Sequence, residues 1–96
     1  MADIATEHRR LTILRLLAGA GGYTANSAIV HSALHEFGFA ASRDLVRTDL
    51  AWLAEQECIR NADAGGLAVA TLTDRGLDVA RGHAIVPGIQ RPSPGS

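Results

Sequence analysis

Hydrophobic positions along this chain follow a helical period in four stretches and a strand period in one, and the changes between them mark the elements. In residues 42–56, at about 100° per residue, Leu45, Val46, Asp49, Leu50 and Leu53 fall on one side, while Asp44, Arg47, Thr48, Ala51 and Glu55 fall on the other. Ser42 is placed to cap this helix, and Asp44 puts negative charge where the helix dipole favours it. An earlier helix is predicted from Asp3 to about residue 18, closed by Gly19, Gly21 and Gly22 in left-handed conformations. Its inward stripe is Ile13, Leu14 and Leu17 with Leu11 at the margin, and Leu16 points outward beside Arg9 and Thr12. Between these two, Asn26 is placed to cap a helix over 27–37 that buries Ile29, Val30, Ala33, Leu34 and Phe37. Gly38 then turns the chain and Phe39 folds back.

Beyond residue 57 the period shortens. Cys58 and Ile59 open an extended segment, and residues 67–72 alternate well enough to be its antiparallel partner across a tip at 63–66. Tyr23 and Thr24 are expected to add a short third strand. Thr73 caps a short fourth helix that offers Leu77, Val79 and Ala80 to the core, with Gly76 weakening it and Gly82 ending it. From His83 the chain is rich in proline and small residues and reads as a tail or arm.

The order helix, helix, tight turn, helix, hairpin predicts a mainly α fold with a small β-hairpin, a winged helix-turn-helix. It comprises a three-helix core, a wing, a short fourth helix and an extended C-terminal tail. The domain spans residues 1–82, and 83–96 form the tail. The expected hydrophobic centre is Leu14, Leu17, Val30, Leu34, Leu45, Leu50, Leu53 and Leu72.

Length and composition narrow the function. At 96 residues there is room for one small core, and at 47 % hydrophobic but 4 % aromatic that core is built from aliphatic side chains around Trp52, Phe37 and Phe39. The nine basic residues are all arginine and the net charge is −1, so any contact with nucleic acid must come from local arginine placement. A lone cysteine, Cys58, excludes an internal disulfide. Neither a signal peptide nor a membrane span is legible, which predicts a cytoplasmic protein without a membrane partner. No base, nucleophile and pocket assemble, so no enzyme and no cofactor are expected. His31 and His35 have the four-residue spacing of a shared metal ligand pair, but no third ligand accompanies them, and solvated histidines are the simpler reading.

The positions that bear on function lie on the third helix. Arg43 and Arg47 project from its N-terminal half, where arginine can bridge guanine edges or hold phosphates, with Thr48 and Ala51 beside them for thymine methyls and Arg60 at the wing base for backbone phosphate. The alternative is a solvated face with local ion pairs from these arginines to Asp44 and Glu55, because residues 42–57 carry two arginines against Asp44, Asp49, Glu55 and Glu57. Ile85, Val86 and Ile89 are more apolar than a free tail needs and would lie along this domain or a neighbour; with Leu16, otherwise a singly exposed leucine, they suggest a homodimer interface. Two functions follow: a regulator that binds double-stranded DNA, or a protein-interaction module on the same scaffold that turns its acidic helix to another protein.

Ser42, Leu45, Val46, Asp49, Leu50, Leu53, Glu55 and Ile59 fall where bacterial winged-helix regulators show an S-x-x-T-V-x-R-D-L-x-x-L-x-x-x-G-L-I pattern, and residues 72–76, LTDRG, resemble their post-wing L-T-x-x-G. Taken with HRRLTILRLLA and VPGIQRPSPG, nearly the whole chain is similar to a family of small proteins of Mu-like transposable phages and prophages. The resemblance implies a phage origin and a winged-helix fold. One departure is Glu57, which stands where the regulators carry glycine, so the helix is expected to end differently or to run on.

Overall fold

The computed structural model describes residues 3–93. Among these the elements run α1 (Ile4–Ala18), β1 (Thr24–Asn26), α2 (Ser27–Glu36), α3 (Arg43–Glu55), β2 (Ile59–Ala64), β3 (Leu67–Leu72) and α4 (Asp74–Ala80), with one 3-10 turn at Gly21–Tyr23. Each helix starts where a short polar side chain accepts from the amide three residues on. Asp3 takes Thr6 at 2.7 Å, Asn26 takes Ile29 at 2.9 Å, and Ser42 and Thr73 take Leu45 and Gly76 at 3.0 Å. At Asp3 the donated amide also holds the carboxyl below its ordinary pKa.

Three helices end alike. The amides of Phe39, Cys58 and His83 reach back to the carbonyls of Leu34, Leu53 and Asp78, and those of Gly38, Glu57 and Gly82 to His35, Ala54 and Val79. These paired bonds need a left-handed residue after the helix, supplied by Gly38 (φ 89), Glu57 (φ 61) and Gly82 (φ 80). Glu57 therefore adopts the conformation expected of glycine, and α3 neither runs on nor ends differently. The exception is α1, where Gly19 stays right-handed at φ −92 and the left-handed steps fall at Gly22 and Tyr23.

The three strands form an antiparallel sheet of order β1-β3-β2. Gly65 and Gly66, both at positive φ, make the two-residue turn of the hairpin. Ile59, Ala70 and Leu72 face the core, which they share with Ile13, Leu14, Leu17, Val30, Leu34, Val46, Leu50, Leu53, Cys58 and Val79.

Several inward assignments change. Leu45 is only half-buried, lining a surface groove with Phe39 and the 38–41 turn. Ile29 is 57 % exposed and Phe37 65 %, because α2 buries Ser27, Val30 and Leu34 and the chain leaves the helix at Phe37. Phe39 turns inward instead and packs edge-on against His8. Gly76 is more than a weak point in α4, since a Cβ there would lie 2.0 Å from the Cys58 carbonyl oxygen and 2.7 Å from Leu72 Cδ1. Its lack of a side chain lets α4 close on the junction of α3 and β2.

The described part of the expected tail is packed against the domain. Val86 and Ile89 are buried, the Gln90 amide donates to the Glu7 carbonyl at 3.2 Å, and Arg10 Nη1 donates to the Gly88 carbonyl at 3.0 Å. The same guanidinium lies 3.7 Å over the centre of the Trp52 ring. Gly88, at φ 95, passes so near Trp52 that a Cβ would come within 2.8 Å of it. Residues 84–90 thus strap α1 to α3, and the packed unit continues beyond residue 82. The tail's last residues, 94–96, lie outside the described residues.

Candidate nucleic-acid interface

The position of α3 is fixed from inside. Its apolar stripe is interrupted by Asp49, which is buried, and the Arg9 guanidinium meets that carboxylate through Nε to Oδ2 and through Nη2 to Oδ1 at 3.1 Å. Arg10 Nε stands 3.8 Å from the same carboxylate. Arg9 therefore points inward, contrary to the outward placement expected from periodicity. A signal existed in the sequence: an acid among inward leucines requires a cation, and Arg9 lies one helical turn before the inward Ile13.

With Asp49 neutralised, the outer surface of α3 is less acidic than a count of its residues implies. Asp44, Thr48, Ala51 and Glu55 run down the exposed centre. Thr48 donates its hydroxyl proton to the Asp44 carbonyl at 3.0 Å. Arg43 and Arg47 occupy the flank toward α2 and the wing, where they line a small cleft with Ser27, Ala28 and Leu67. The opposite flank, Leu45 and Trp52, is partly covered by the 38–41 turn and the strap. Among the described residues the ion pairs are those of Arg9 and Arg10 with Asp49, so the local pairing of Arg43 and Arg47 with Asp44 and Glu55 does not form.

Arg60 does not line this cleft. It stands opposite Thr71, which stands opposite Thr24, a row across the outer face of the sheet joined by a 3.2 Å hydroxyl contact. Its neighbour Asn61 faces the helices and donates to the Leu50 carbonyl at 3.0 Å. Strand alternation thus aims Arg60 from the face opposite α3.

The residues expected to pair two copies also separate. Val86 and Ile89, buried in their own domain, are unavailable to a partner, which corrects their assignment to a dimer interface. Ile85 remains 61 % exposed. Leu16 is half-buried and lines a groove between α1 and the end of α2 with His8, Thr12, Arg15 and Phe37. His31 is half-buried and His35 exposed. Among the described residues no three His, Cys, Asp or Glu side chains are grouped to hold a metal ion, and no helix is long and apolar enough to cross a membrane.

The sequence is 47 % identical over 92 residues to the protein gp26 of Escherichia phage Mu, covering 96 % of this chain and 95 % of that one. The chain belongs to the gp26 family of phage Mu. A protein of Haemophilus influenzae is 44 % identical over 78 residues, covering 78 % of this chain and 74 % of its own. Neither name assigns an activity. No protein-family model matches. Among solved structures the gp26 relative resembles ZitR of Lactococcus lactis, a winged-helix regulator, in a double-alanine variant in apo form, with TM-score 0.61 and 27 % identity over 78 % of this chain. A second structure of that variant gives 0.60 at the same identity. The chain spans about half of the ZitR chains, 53 % and 48 %. The fold is a winged helix, as the order of elements predicted.

Proposed function

We propose that this protein is a phage-encoded, cytoplasmic regulator without catalytic activity that binds double-stranded DNA through α3. The observation that carries this reading is the pair Arg43 and Arg47, exposed on the flank of α3 between α2 and the wing and without an ion pair among the described residues, in a fold resembling ZitR. Thr48 and Ala51 lie on the adjoining exposed surface, where they would meet base edges, and Arg60 would reach phosphate only where DNA wraps to the far side of the wing. Asp44 and Glu55 on the same helix oppose phosphate, so affinity should be modest and specificity should come from geometry.

Titration of mixed-sequence duplex at low salt tests this. Asp44→Asn should bind more tightly than wild type, by relief of repulsion, and the Arg43→Ala, Arg47→Ala double variant should bind more weakly and reduce the salt slope by about 2. Absence of binding by wild type and Asp44→Asn alike would overturn the regulator reading.

A second reading is favoured by a different observation. Ile29 and Phe37 leave apolar surface exposed on α2 next to the groove that Leu16 lines. We propose that a second copy covers it, giving a homodimer suited to a two-fold site. Should DNA binding fail, the same stripe together with acidic α3 would serve contact with a phage or host protein.

A further inference from the structure

We propose that the cleft between the start of α2 and the flank of α3 is a built site for one phosphate oxyanion. The assignment relies on the DNA-binding reading only for whose phosphate it is. A phosphodiester of duplex DNA and a free phosphate present the same chemistry.

The cleft is lined by Ser27, Ala28, Arg43, Arg47 and Leu67. Ser27 is 8 % exposed, and among the described residues its hydroxyl has no hydrogen-bond partner. The sealed side-chain polar atoms without a partner, among the described residues, are Arg10 Nε and Gln90 Oε1. The Ser27 hydroxyl is therefore not sealed. It opens on the cleft that its residue lines, where a buried hydroxyl gains by meeting an acceptor.

The backbone adds donors at the same place. Asn26 caps α2 by accepting from Ile29, the third residue of the helix. The amides of Ser27 and Ala28 precede it and have no acceptor within the helix, at the end where the dipole is positive. Two guanidinium groups complete the wall, and among the described residues neither has a carboxylate partner and no acidic residue lines the cleft. Two guanidinium groups, a hydroxyl and the first turn of α2 line the cleft with no carboxylate among the described side chains, a lining that suits a tetrahedral anion better than a metal cation. Leu67 contributes an apolar wall, 39 % exposed, that fits the carbon face of a sugar better than open solvent. This favours the phosphodiester over the free ion.

The test is an amide NMR titration of the full chain with inorganic phosphate, ionic strength held constant with chloride, beside a titration with mixed-sequence duplex. Saturable shifts of the Ser27 and Ala28 amides are expected, absent from the Arg43→Ala, Arg47→Ala variant. Ser27→Ala should weaken duplex binding roughly tenfold on all sequences alike, and Ser27→Thr, which keeps the hydroxyl, should not. The amide spectrum of each variant reports whether it is folded. Saturable phosphate shifts without duplex binding would uphold the site with a free phosphate while removing the DNA reading. Duplex binding with unmoved Ser27 and Ala28 amides, and with Ser27→Ala equal to wild type, would overturn the site and leave the DNA reading standing.

Discussion

The Arg9 guanidinium grips the Asp49 carboxylate with two donors across 40 residues of sequence, joining α1 to the buried side of α3. Removing one partner leaves a charge without compensation in the core, which costs far more than the pair itself contributes. Asp49→Asn should lose about 3–5 kcal/mol in urea unfolding, since it strands Arg9 and takes the nearest anion from Arg10. Arg9→Met with Asp49→Leu should lose less than Asp49→Leu alone. A loss below about 1 kcal/mol for Asp49→Asn would mean that water, not Arg9, solvates the carboxylate.

What the sequence made legible was local. Asp3, Asn26, Ser42 and Thr73 each bond an amide three residues on, so a reader needs only the next turn to place them. The alternation of β2 and β3, with two glycines between, is equally short-ranged. What escaped depends on contacts between distant segments, Arg9 with Asp49 and Arg10 with Gly88, and only the packed fold decides that Val86 and Ile89 lie along this domain rather than a neighbour. Of the proposed site, Arg43 and Arg47 were visible from helical phase, whereas Ser27 became part of it only because α2 starts beside them. Phe37 stands at an inward helical phase, which predicts burial, but the helix has already ended there and the ring is exposed.

Gly76 separates helix propensity from packing by sign. In an exposed helix, alanine for glycine stabilises by about 1 kcal/mol. Here a Cβ would press on the backbone of Cys58, 2.0 Å away, so α4 must shift. Gly76→Ala should lose about 1–3 kcal/mol by chemical denaturation, and a gain would show that α4 does not dock so closely.

The strap has a spectroscopic handle. Trp52 is covered by Arg10 and by the backbone at Gly88. Truncation after Gly82 should red-shift the Trp52 emission, and Ile89→Ala in the intact chain should lose about 2–5 kcal/mol. Unchanged emission on truncation would place residues 84–90 away from α3.

Burial raises the Cys58 thiol above its ordinary value of 9.0, with Arg75 opposing in part. Below that value folded and unfolded chains both keep the proton, and stability is indifferent to this group. As pH rises past it, the unfolded chain ionises first, so stability falls until the folded thiol also titrates. Urea midpoints should decline above about pH 9 more steeply for wild type than for Cys58→Ala, which loses stability at every pH through its cavity. Parallel curves would remove Cys58 from the alkaline transition.

The apolar stripe of α2 yields the last prediction, on assembly. Phe37 is 65 % exposed and therefore contributes little to the isolated fold, yet it sits beside the groove lined by Leu16 and Arg15. Glu36 lines the adjoining groove with Ile29, and among the described residues neither Glu36 nor Arg15 has an ion pair. A two-fold pairing of this surface would set Arg15 of one copy against Glu36 of the other, a self-complementary arrangement around an apolar centre. Phe37→Ser should then weaken a dimer in sedimentation while leaving the unfolding midpoint of the monomer nearly unchanged. Glu36→Arg should also dissociate it, and adding Arg15→Glu should restore it, because the pair is reversed rather than removed. Wild type that sediments as a monomer at high concentration, or a double variant no better than Glu36→Arg alone, would mean that this face is not where two copies meet.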